Sequence, residues 1–237
     1  MRVSCKILAK SVQMPFGILI FLGLLMEVGV FPAFCQDAAE LIGAIDEQQR
    51  KIQTVAAHFS QKKETSLLRE PLLSSGWVKF KRPDQIHWTY VKPEPMEVAL
   101  DGKTLWFYTP GRSQAEQYSL ARGKRIARYL DPLTAIFQKT FGELTEIYAV
   151  AYEGLAADQS FHFRLQPKEE KVQRLLSRVD LWIDKSSGAI LRFKMLESNG
   201  DQLSLEFENL QINPLLTDDD LKVKVPPSVR VMEQSLP

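Results

Sequence analysis

Three histidines, His58, His87 and His162, are the residues of this sequence best suited to acid–base or metal chemistry. No two of them have the spacing expected of metal ligands on one element, so the sequence predicts no metal site. His87 and His162 fall on the polar side of alternating strands, where solvated histidines are common. We therefore expect both to be ordinary surface groups.

Other catalytic signatures are missing from the sequence. It contains no Gly-x-Ser-x-Gly elbow, no His-Glu-x-x-His pattern and no glycine-rich phosphate loop. The carboxylate runs Glu169-Glu170 and Asp218-Asp219-Asp220 lie in polar or turn stretches, which is typical of solvated charge. The sequence therefore predicts no catalytic residue, no cofactor and no enzyme activity.

The N-terminus has the pattern of a secretory signal peptide. Residues 1–10 carry three positive charges and precede an apolar run over residues 16–26, which is shorter than the roughly 20 residues of a membrane span. We predict cleavage after Cys35. Residues 1–35 are then the signal peptide, and residues 36–237 form a single domain.

Cleavage at that point removes Cys5 and Cys35, the only two cysteines, and so excludes disulfides and thiolate chemistry in the secreted chain. The formal net charge falls from +1 to −1, which implies no nucleic-acid partner. Two alternatives stay open: an uncleaved membrane anchor, and a lipid attached to Cys35. The bulky Phe34 departs from the small-residue pattern that precedes the cysteine in bacterial lipoproteins.

Two amphipathic helices are predicted. Apolar residues recur at three- and four-residue steps over residues 37–61, interrupted only by Gln48 and Gln49, and this spacing predicts one long helix. Asp131 as N-cap and Pro132 at the first helical position predict the start of the second. The apolar stripe of this second helix comprises Leu133, Ile136, Phe137, Phe141 and Leu144.

Most of the remaining chain alternates with a period of two, which predicts strands. Residues 76–82 and 86–90 are examples, separated by a turn at Pro83-Asp84. Roughly nine to eleven such strands, joined by short turns, favour a mainly β fold with a curved antiparallel sheet. The two helices are the only elements available to cover its concave apolar face.

Three hairpins have turns that suggest a register, at residues 101–102, 184–188 and 199–201. In each hairpin the chosen register keeps the apolar residues on one face. The predicted cross-strand pairs are Val98 with Leu105, Met96 with Phe107, Leu181 with Leu191, Val179 with Phe193, Met195 with Leu205 and Phe193 with Phe207.

The chain is rich in aromatic residues, with four tryptophans and thirteen phenylalanines. A well-filled β core would account for them. An apolar cavity between the curved sheet and its helical cover would account for them equally, and it would suit an acyl ligand. Periodicity alone does not separate these two interpretations.

Several segments resemble the LolA family of periplasmic lipoprotein carriers. These are Arg-Pro-Asp-Gln-Ile-His-Trp at residues 82–88 and Asp-Gly-Lys-Thr-Leu-Trp-Phe-Tyr-Thr-Pro at residues 101–110. Phe-Ser-Gln at residues 59–61 and Val-Pro-Pro-Ser-Val at residues 225–229 fit the same pattern. The basic run over residues 122–128 is a departure from it.

The resemblance implies an incomplete β-barrel closed by a lid of α-helices, with an apolar interior that takes acyl chains of lipoproteins bound for the outer membrane. It implies that an inner-membrane ABC lipoprotein-release complex supplies the cargo and that an outer-membrane acceptor lipoprotein receives it. Such a carrier works in the periplasm, and we expect it to be a monomer.

Arg82 matches the family's arginine that reaches from the sheet to the lid helices and helps to hold the empty form shut. It shares one strand face with Val78 and Phe80, so we expect its guanidinium to project into the apolar concavity towards carbonyl groups of the lid. The residues predicted to line the lipid cavity are Val78, Phe80, Ile86, Trp88, Tyr90, Val98, Leu105, Phe107, Leu133, Ile136, Phe137, Phe193 and Phe207.

Three other functions fit parts of this pattern. A lipid-sensing regulatory module of a periplasmic stress pathway shares the half-barrel but usually carries a second domain. A LolB-like acceptor lipoprotein needs a lipidated N-terminal cysteine, for which Cys35 is the candidate. An enzyme acting on lipid or peptidoglycan would need a nucleophile, metal or phosphate motif that this sequence lacks.

Overall fold

A computed structural model describes residues 34–112, 114–119 and 136–234, without the side chains of residues 34–37 and 234. Residues 1–33 of the predicted signal peptide, the basic run, Asp131, Pro132 and Leu133 lie outside the described residues. The helices are α1 (Phe34–Lys51), α2 (Phe141–Ile147) and α3 (Glu170–Gln173), with one turn of 3₁₀ helix at Asp218–Leu221.

The strands of the described residues are β1 (Thr54–Glu64), β2 (Leu72–Lys81), β3 (Gln85–Lys92), β4 (Met96–Asp101), β5 (Thr104–Tyr108), β6 (Gln114–Ser119), β7 (Tyr148–Leu155), β8 (Phe161–Pro167), β9 (Leu176–Ile183), β10 (Ile190–Glu197), β11 (Gln202–Ile212) and β12 (Arg230–Gln234).

All twelve strands belong to one open, curved sheet, which confirms the predicted mainly β fold. Its order is β12-β6-β5-β4-β3-β2-β1-β11-β10-β9-β8-β7. Neighbouring strands of the sheet are antiparallel with one exception, and β1 joins the two meanders by pairing with β11. The exception is β12, which runs parallel to β6 because it returns to the far edge of the sheet at the end of the chain.

The prediction of one helix over residues 37–61 is wrong in its second half. Helix α1 ends at Lys51, and β1 begins at Thr54. Asn213 stabilises the junction, since its side chain donates to the carbonyl oxygen of Lys51 at 3.0 Å and accepts from the backbone N–H of Gln53 at 2.7 Å. Pairing with β2 and β11 on both sides outweighs the helical spacing, and Phe59 becomes fully buried.

The second predicted helix is interrupted. Residues 136–138 are helical, but the helix stops there and α2 begins at Phe141. Thr140 caps α2, and Glu143 completes a capping box by accepting from the backbone N–H of Thr140 at 2.7 Å. The capping residues therefore divide the apolar stripe between two short segments.

All three predicted hairpin registers are displaced by two residues. Val98 lies opposite Phe107 rather than Leu105, and Phe193 lies opposite Leu205 on one side and Leu181 on the other. Each turn takes up more residues than predicted. A displacement of two preserves the side of the sheet to which each side chain points, so the apolar face is as expected.

The core fills one part of the concave face. The rings of Phe59, Phe141, Phe163 and Phe193 are at most 1% exposed, and they pack with apolar residues of β8 to β11 and with Ile45 of α1. The face of β2 to β5 is covered less completely.

The predicted surface histidines are not free surface groups. His87 is buried, with Nδ1 at 3.1 Å from the carbonyl oxygen of Asp220 and Nε2 at 3.0 Å from a carboxylate oxygen of Glu97. His162 stacks on Trp182 with ring centroids 4.5 Å apart. Both rings are covered because other side chains and the C-terminal segment pack on the outer face of the sheet.

The Asp218-Asp219-Asp220 run is likewise more than solvated charge. Asp218 forms an ion pair with Lys81 at 2.6 Å, and Asp220 forms one with Lys79 at 2.9 Å. These pairs hold the 3₁₀ helix against the outer face of β2 and β3. The lysines alternate with the inward-pointing residues of β2, so the outer and inner faces of this strand have separate roles.

Candidate functional site

Two adjoining apolar cavities lie against the inner face of the sheet. The smaller, of about 80 Å³, is bounded by β1 to β3, β11, the start of β10 with the turn before it, the end of α1 and residues 136–139. The larger, of about 260 Å³, is bounded mainly by β2 to β5. Phe80, Ile86 and Phe137 line both cavities.

Eleven of the thirteen residues predicted to line a lipid cavity are in these two walls. Phe193 is in neither wall, because its ring packs in the filled core at 6.2 Å from that of Phe137. Leu133 lies outside the described residues. The remaining members, besides the three shared ones, are Val78, Ile136 and Phe207 in the smaller cavity and Trp88, Tyr90, Val98, Leu105 and Phe107 in the larger.

Phe137 is the one residue of segment 136–139 that lines both cavities. Its ring lies 6.1 Å from Trp88, 6.0 Å from Phe207 and 6.2 Å from Phe193, within the range of attractive aromatic contacts. It comes from the helical segment 136–138, whereas its neighbours come from the sheet.

Trp88 is the centre of the aromatic wall. Its ring lies 4.7 Å from Phe59 and 6.2 Å from Phe207. Tyr90 stacks beside it at 6.5 Å and donates its hydroxyl to Gln61 at 3.1 Å, and burial raises the pKa of Tyr90. The wall is therefore apolar, and the buried phenol has a partner.

Arg82 connects the sheet to the covering segments. Its Nε donates to the carbonyl oxygen of Ile52 at 2.9 Å, and Nη1 donates to that of Gln138 at 2.8 Å. A longer contact of 3.5 Å joins Nη2 to the carbonyl oxygen of Gln49. Burial lowers the pKa of the guanidinium, which nevertheless stays charged at any physiological pH.

The position of Arg82 follows from two features of the sequence. It comes directly after β2 and continues the inward-pointing row of Val78 and Phe80. Helix α1 ends at Lys51, so carbonyl groups of its last turn have no partner within the helix and accept the cation favourably. The predicted direction of the guanidinium agrees with this geometry.

Gln49 is a site residue that the sequence reasoning missed. It is 7% exposed, and its Nε2 donates to the carbonyl oxygen of Gly188 at 2.9 Å. Its Oε1 accepts from the backbone N–H of Phe141 at 2.6 Å. The available signal was a polar residue within the apolar stripe of an amphipathic helix, where only a bonded amide is tolerated.

Asp46 makes the second link between α1 and α2. Its Oδ1 accepts from the backbone N–H of Gly142 at 2.8 Å, and its Oδ2 accepts from Arg50 at 2.9 Å. Burial acts to raise the pKa of Asp46, but hydrogen bonds from Thr140, Gly142 and Arg50 outweigh it and hold the pKa below the ordinary value. Side chains of α1 thus satisfy the first N–H groups of α2.

Apolar side chains make up most of the walls of both cavities, which suits them to hold an apolar ligand. In the part of the chain that the structure describes, no group of three or more His, Cys, Asp or Glu residues could hold a metal ion. None of the helices described there is both long and apolar enough to cross a bilayer. A half-barrel with apolar cavities beneath tethered helical segments defines a binding protein for apolar ligands.

Comparison with known proteins gives the family. Residues 50–224 match the family model "Outer membrane lipoprotein carrier protein LolA", and the chain belongs to this family. An outer-membrane lipoprotein carrier protein of Pasteurella multocida is 26% identical over 89% of this chain and 97% of its own length. That of Alkalilimnicola ehrlichii is 28% identical, with 79% and 86% covered.

A solved structure supports the fold independently. A crystal structure of an uncharacterized conserved protein from Thermus thermophilus aligns with a TM-score of 0.52 at 15% identity. The alignment covers 84% of this chain and all of that chain. The half-barrel is therefore a known architecture, and the function has to be argued from the site.

Proposed function

We propose that this protein carries lipoproteins by enclosing their acyl chains between the sheet and its helical cover. The observation that carries the proposal is the pair of adjoining apolar cavities that share Phe80, Ile86 and Phe137 in their walls. The carrier names of the relatives support the same ligand class. Acyl chains that displace the Phe137 ring would occupy one continuous cavity lined by Trp88, Phe80 and Ile86.

The energetics suit a carrier. An acyl chain that leaves a membrane loses about 0.8 kcal/mol for each methylene group, so a carrier must offer a comparable apolar surface. In the empty protein Phe137 and its neighbours already cover part of that surface. Cargo must displace them, and this competition keeps the affinity moderate enough for the cargo to be handed on.

We propose the following route for the cargo. Residues 1–35 direct the chain to the periplasm and are removed, which leaves residues 36–237 as one carrier domain. The carrier receives lipoproteins from an inner-membrane ABC release complex and delivers them to an outer-membrane acceptor. It works as a monomer and catalyses no reaction.

The proposal is tested with Trp88→Glu. A carboxylate in this apolar wall opposes acyl binding, so we expect the tagged variant to be secreted and folded but to co-purify with at least about tenfold less lipoprotein. Trp77→Glu is the matched control, because Trp77 is 53% exposed and lines neither cavity. The measurement is the lipoprotein recovered per mole of carrier, with bis-ANS binding as a second probe.

Two results would contradict the proposal. If Trp88→Glu retains full lipoprotein binding, the acyl chains lie elsewhere. If Trp88→Glu does not fold while Trp77→Glu does, the aromatic wall is a solid core, and the lipoprotein-binding site must be sought outside it.

A further inference from the structure

The end of the β1–β2 hairpin exposes four leucines, two in the turn and two at the start of β2. Leu67 is 89% exposed, Leu73 66%, Leu72 49% and Leu68 47%. Together these residues are called the leucine tip. Large apolar side chains concentrated in one exposed turn usually mark a site of interaction.

The leucine tip has a defined conformation. The backbone N–H of Ser66 donates to Asp201 at 3.1 Å, and that of Leu68 donates to the carbonyl oxygen of Thr65 at 3.2 Å. The Ser66 N–H is also the main reason why the pKa of Asp201 is lowered. The turn is therefore held against the connection between β10 and β11, with its leucines directed into solvent.

Two further apolar side chains are exposed on the neighbouring outer face. Trp77 of β2 is 53% exposed and meets the His58 ring edge-on at 5.1 Å, and Val91 of β3 is 51% exposed. Trp77 lies on the same face of β2 as Leu73. Tryptophan favours the boundary between water and lipid, where its ring is partly buried and its N–H stays hydrated.

Charges around the leucine tip indicate the kind of partner. Lys62, Lys63, Arg69 and Lys92 are exposed at its base, and Lys62 also pairs with Glu64 at 2.8 Å. Glu70 and Glu94 are exposed nearby and Asp201 contacts the turn, so that, with Glu64, four negative charges balance the four positive ones. The leucines project beyond lysine and arginine side chains. This arrangement matches a bilayer surface, where phosphate groups cover an apolar interior.

The shape also favours a bilayer over a protein groove. Leu67 projects from the end of a hairpin and has almost all of its surface in water. Such a side chain is buried most readily by a fluid medium that closes around it. A protein partner would need a matching pocket and a wider complementary surface.

The leucine tip begins at the rim of the larger cavity. Gln61 of β1 lines that cavity, and two residues further on Lys63 lies opposite Leu72 of β2 and Leu203 of β11. Leu203 is itself part of the cavity wall. A membrane bound at the leucine tip would therefore face the end of the cavity.

We propose that the leucine tip inserts into the surface of a phospholipid bilayer. The leucines enter the upper acyl-chain region, Trp77 lies at the boundary, and the flanking lysines and Arg69 lie at the level of the phosphates. This docking goes beyond the carrier function and does not require that the cavity hold acyl chains. It places the rim of the larger cavity next to the membrane.

The test uses the chain as the cell processes it and protein-free vesicles of phosphatidylethanolamine with phosphatidylglycerol, separated by flotation. We expect the wild type to float with the vesicles and Leu67→Ser/Leu68→Ser to bind at least about tenfold more weakly. Leu215→Ser is the matched control, since Leu215 is 97% exposed elsewhere on the surface. It should bind like the wild type, and thermal unfolding should show that all three proteins are folded.

Three outcomes would overturn the proposal. One is that the wild type does not float. Another is that the double variant floats as well as the wild type, which would assign binding to another segment. The third is binding to native inner- or outer-membrane vesicles but not to protein-free ones, which would identify the partner as a membrane protein. Lipoprotein co-purification is measured separately, so failure of membrane docking is distinguishable from failure of the carrier function.

Discussion

Nη1 of Arg82 donates a 2.8 Å hydrogen bond to the backbone carbonyl oxygen of Gln138, the residue that follows Phe137. The residue that Arg82 holds is therefore next in the chain to an aromatic ring that lines both cavities. In the proposed carrier, we expect this hydrogen bond to break or shift when cargo displaces Phe137.

Arg82→Leu is expected to load cargo and to release it more slowly. The substitution removes hydrogen bonds of a charged donor, worth roughly 1.5 to 3 kcal/mol, and adds apolar surface to the cavity. Both effects favour the open, loaded form, so transfer of a labelled lipoprotein from carrier to acceptor or liposomes should slow about tenfold or more. Arg82→Lys should be intermediate, because an ammonium lacks the planar fork.

The control for this prediction is Arg174→Leu, which changes an exposed arginine at the end of α3. It should load and release like the wild type. Equal transfer rates for Arg82→Leu and the wild type would show that the contacts of Arg82 do not govern release.

Phe137→Ala is expected to improve binding at a cost in stability. Without the ring the two cavities merge, and an apolar ligand no longer has to displace it, so the affinity for bis-ANS or a fatty acid should rise about tenfold. Loss of the aromatic contacts should lower the free energy of unfolding by about 2 kcal/mol, less than for a fully buried phenylalanine. Calorimetric titration and urea unfolding measure the two effects.

Phe193→Ala is the control that separates a gain in ligand affinity at the cavities from a general loss of stability. Phe193 is 1% exposed and lies in the filled core, so its truncation should destabilise more strongly and leave ligand affinity unchanged. A similar gain in affinity for both variants would mean that Phe137 is not a specific barrier.

Strand faces could be predicted from the sequence, whereas strand registers could not. Alternation has a period of two, so registers that differ by two residues bury the same side chains and are equally compatible with the pattern. Hydrogen bonds within each turn determine which of these registers the hairpin adopts. Asp101 accepts from the backbone N–H groups of Lys103 and Thr104 at 3.0 and 2.7 Å, which closes a longer loop than the two-residue turn predicted there.

The residues of the cavity walls could also be predicted. Their prediction depends on which face of a strand each side chain occupies and on the family resemblance, and neither depends on the strand register. The end of α1 could not be predicted, because Ile52, Val55, Ala56 and Phe59 fit a helical spacing. Val55, Ala57 and Phe59 fit the spacing of a strand equally well. Gln49 was missed because its partners, Gly188 and Phe141, are about 90 or more residues away in the chain. Only the folded chain brings them together.

Acidification is expected to loosen the contact between α1 and α2 through Asp46. Because its pKa in the folded protein is depressed, the carboxylate contributes stability above its unfolded value near 3.8, and this contribution is lost as the pH falls through the folded pKa. Asp46→Asn removes the charge that Gly142, Thr140 and Arg50 stabilise. We expect it to lower the free energy of unfolding by about 1 kcal/mol at neutral pH.

The measurement is urea unfolding of the wild type and Asp46→Asn at neutral pH and at a series of values below 3.8. The gap between the two proteins should narrow as the pH falls, because the wild type then loses the same charge by protonation. Glu47→Gln is the control on the same helix: Glu47 is exposed and pairs with Lys51 at 3.6 Å, so its change should be close to zero at every pH. A gap between wild type and Asp46→Asn that stays constant across the series would show that Asp46 acts through packing and not through its charge.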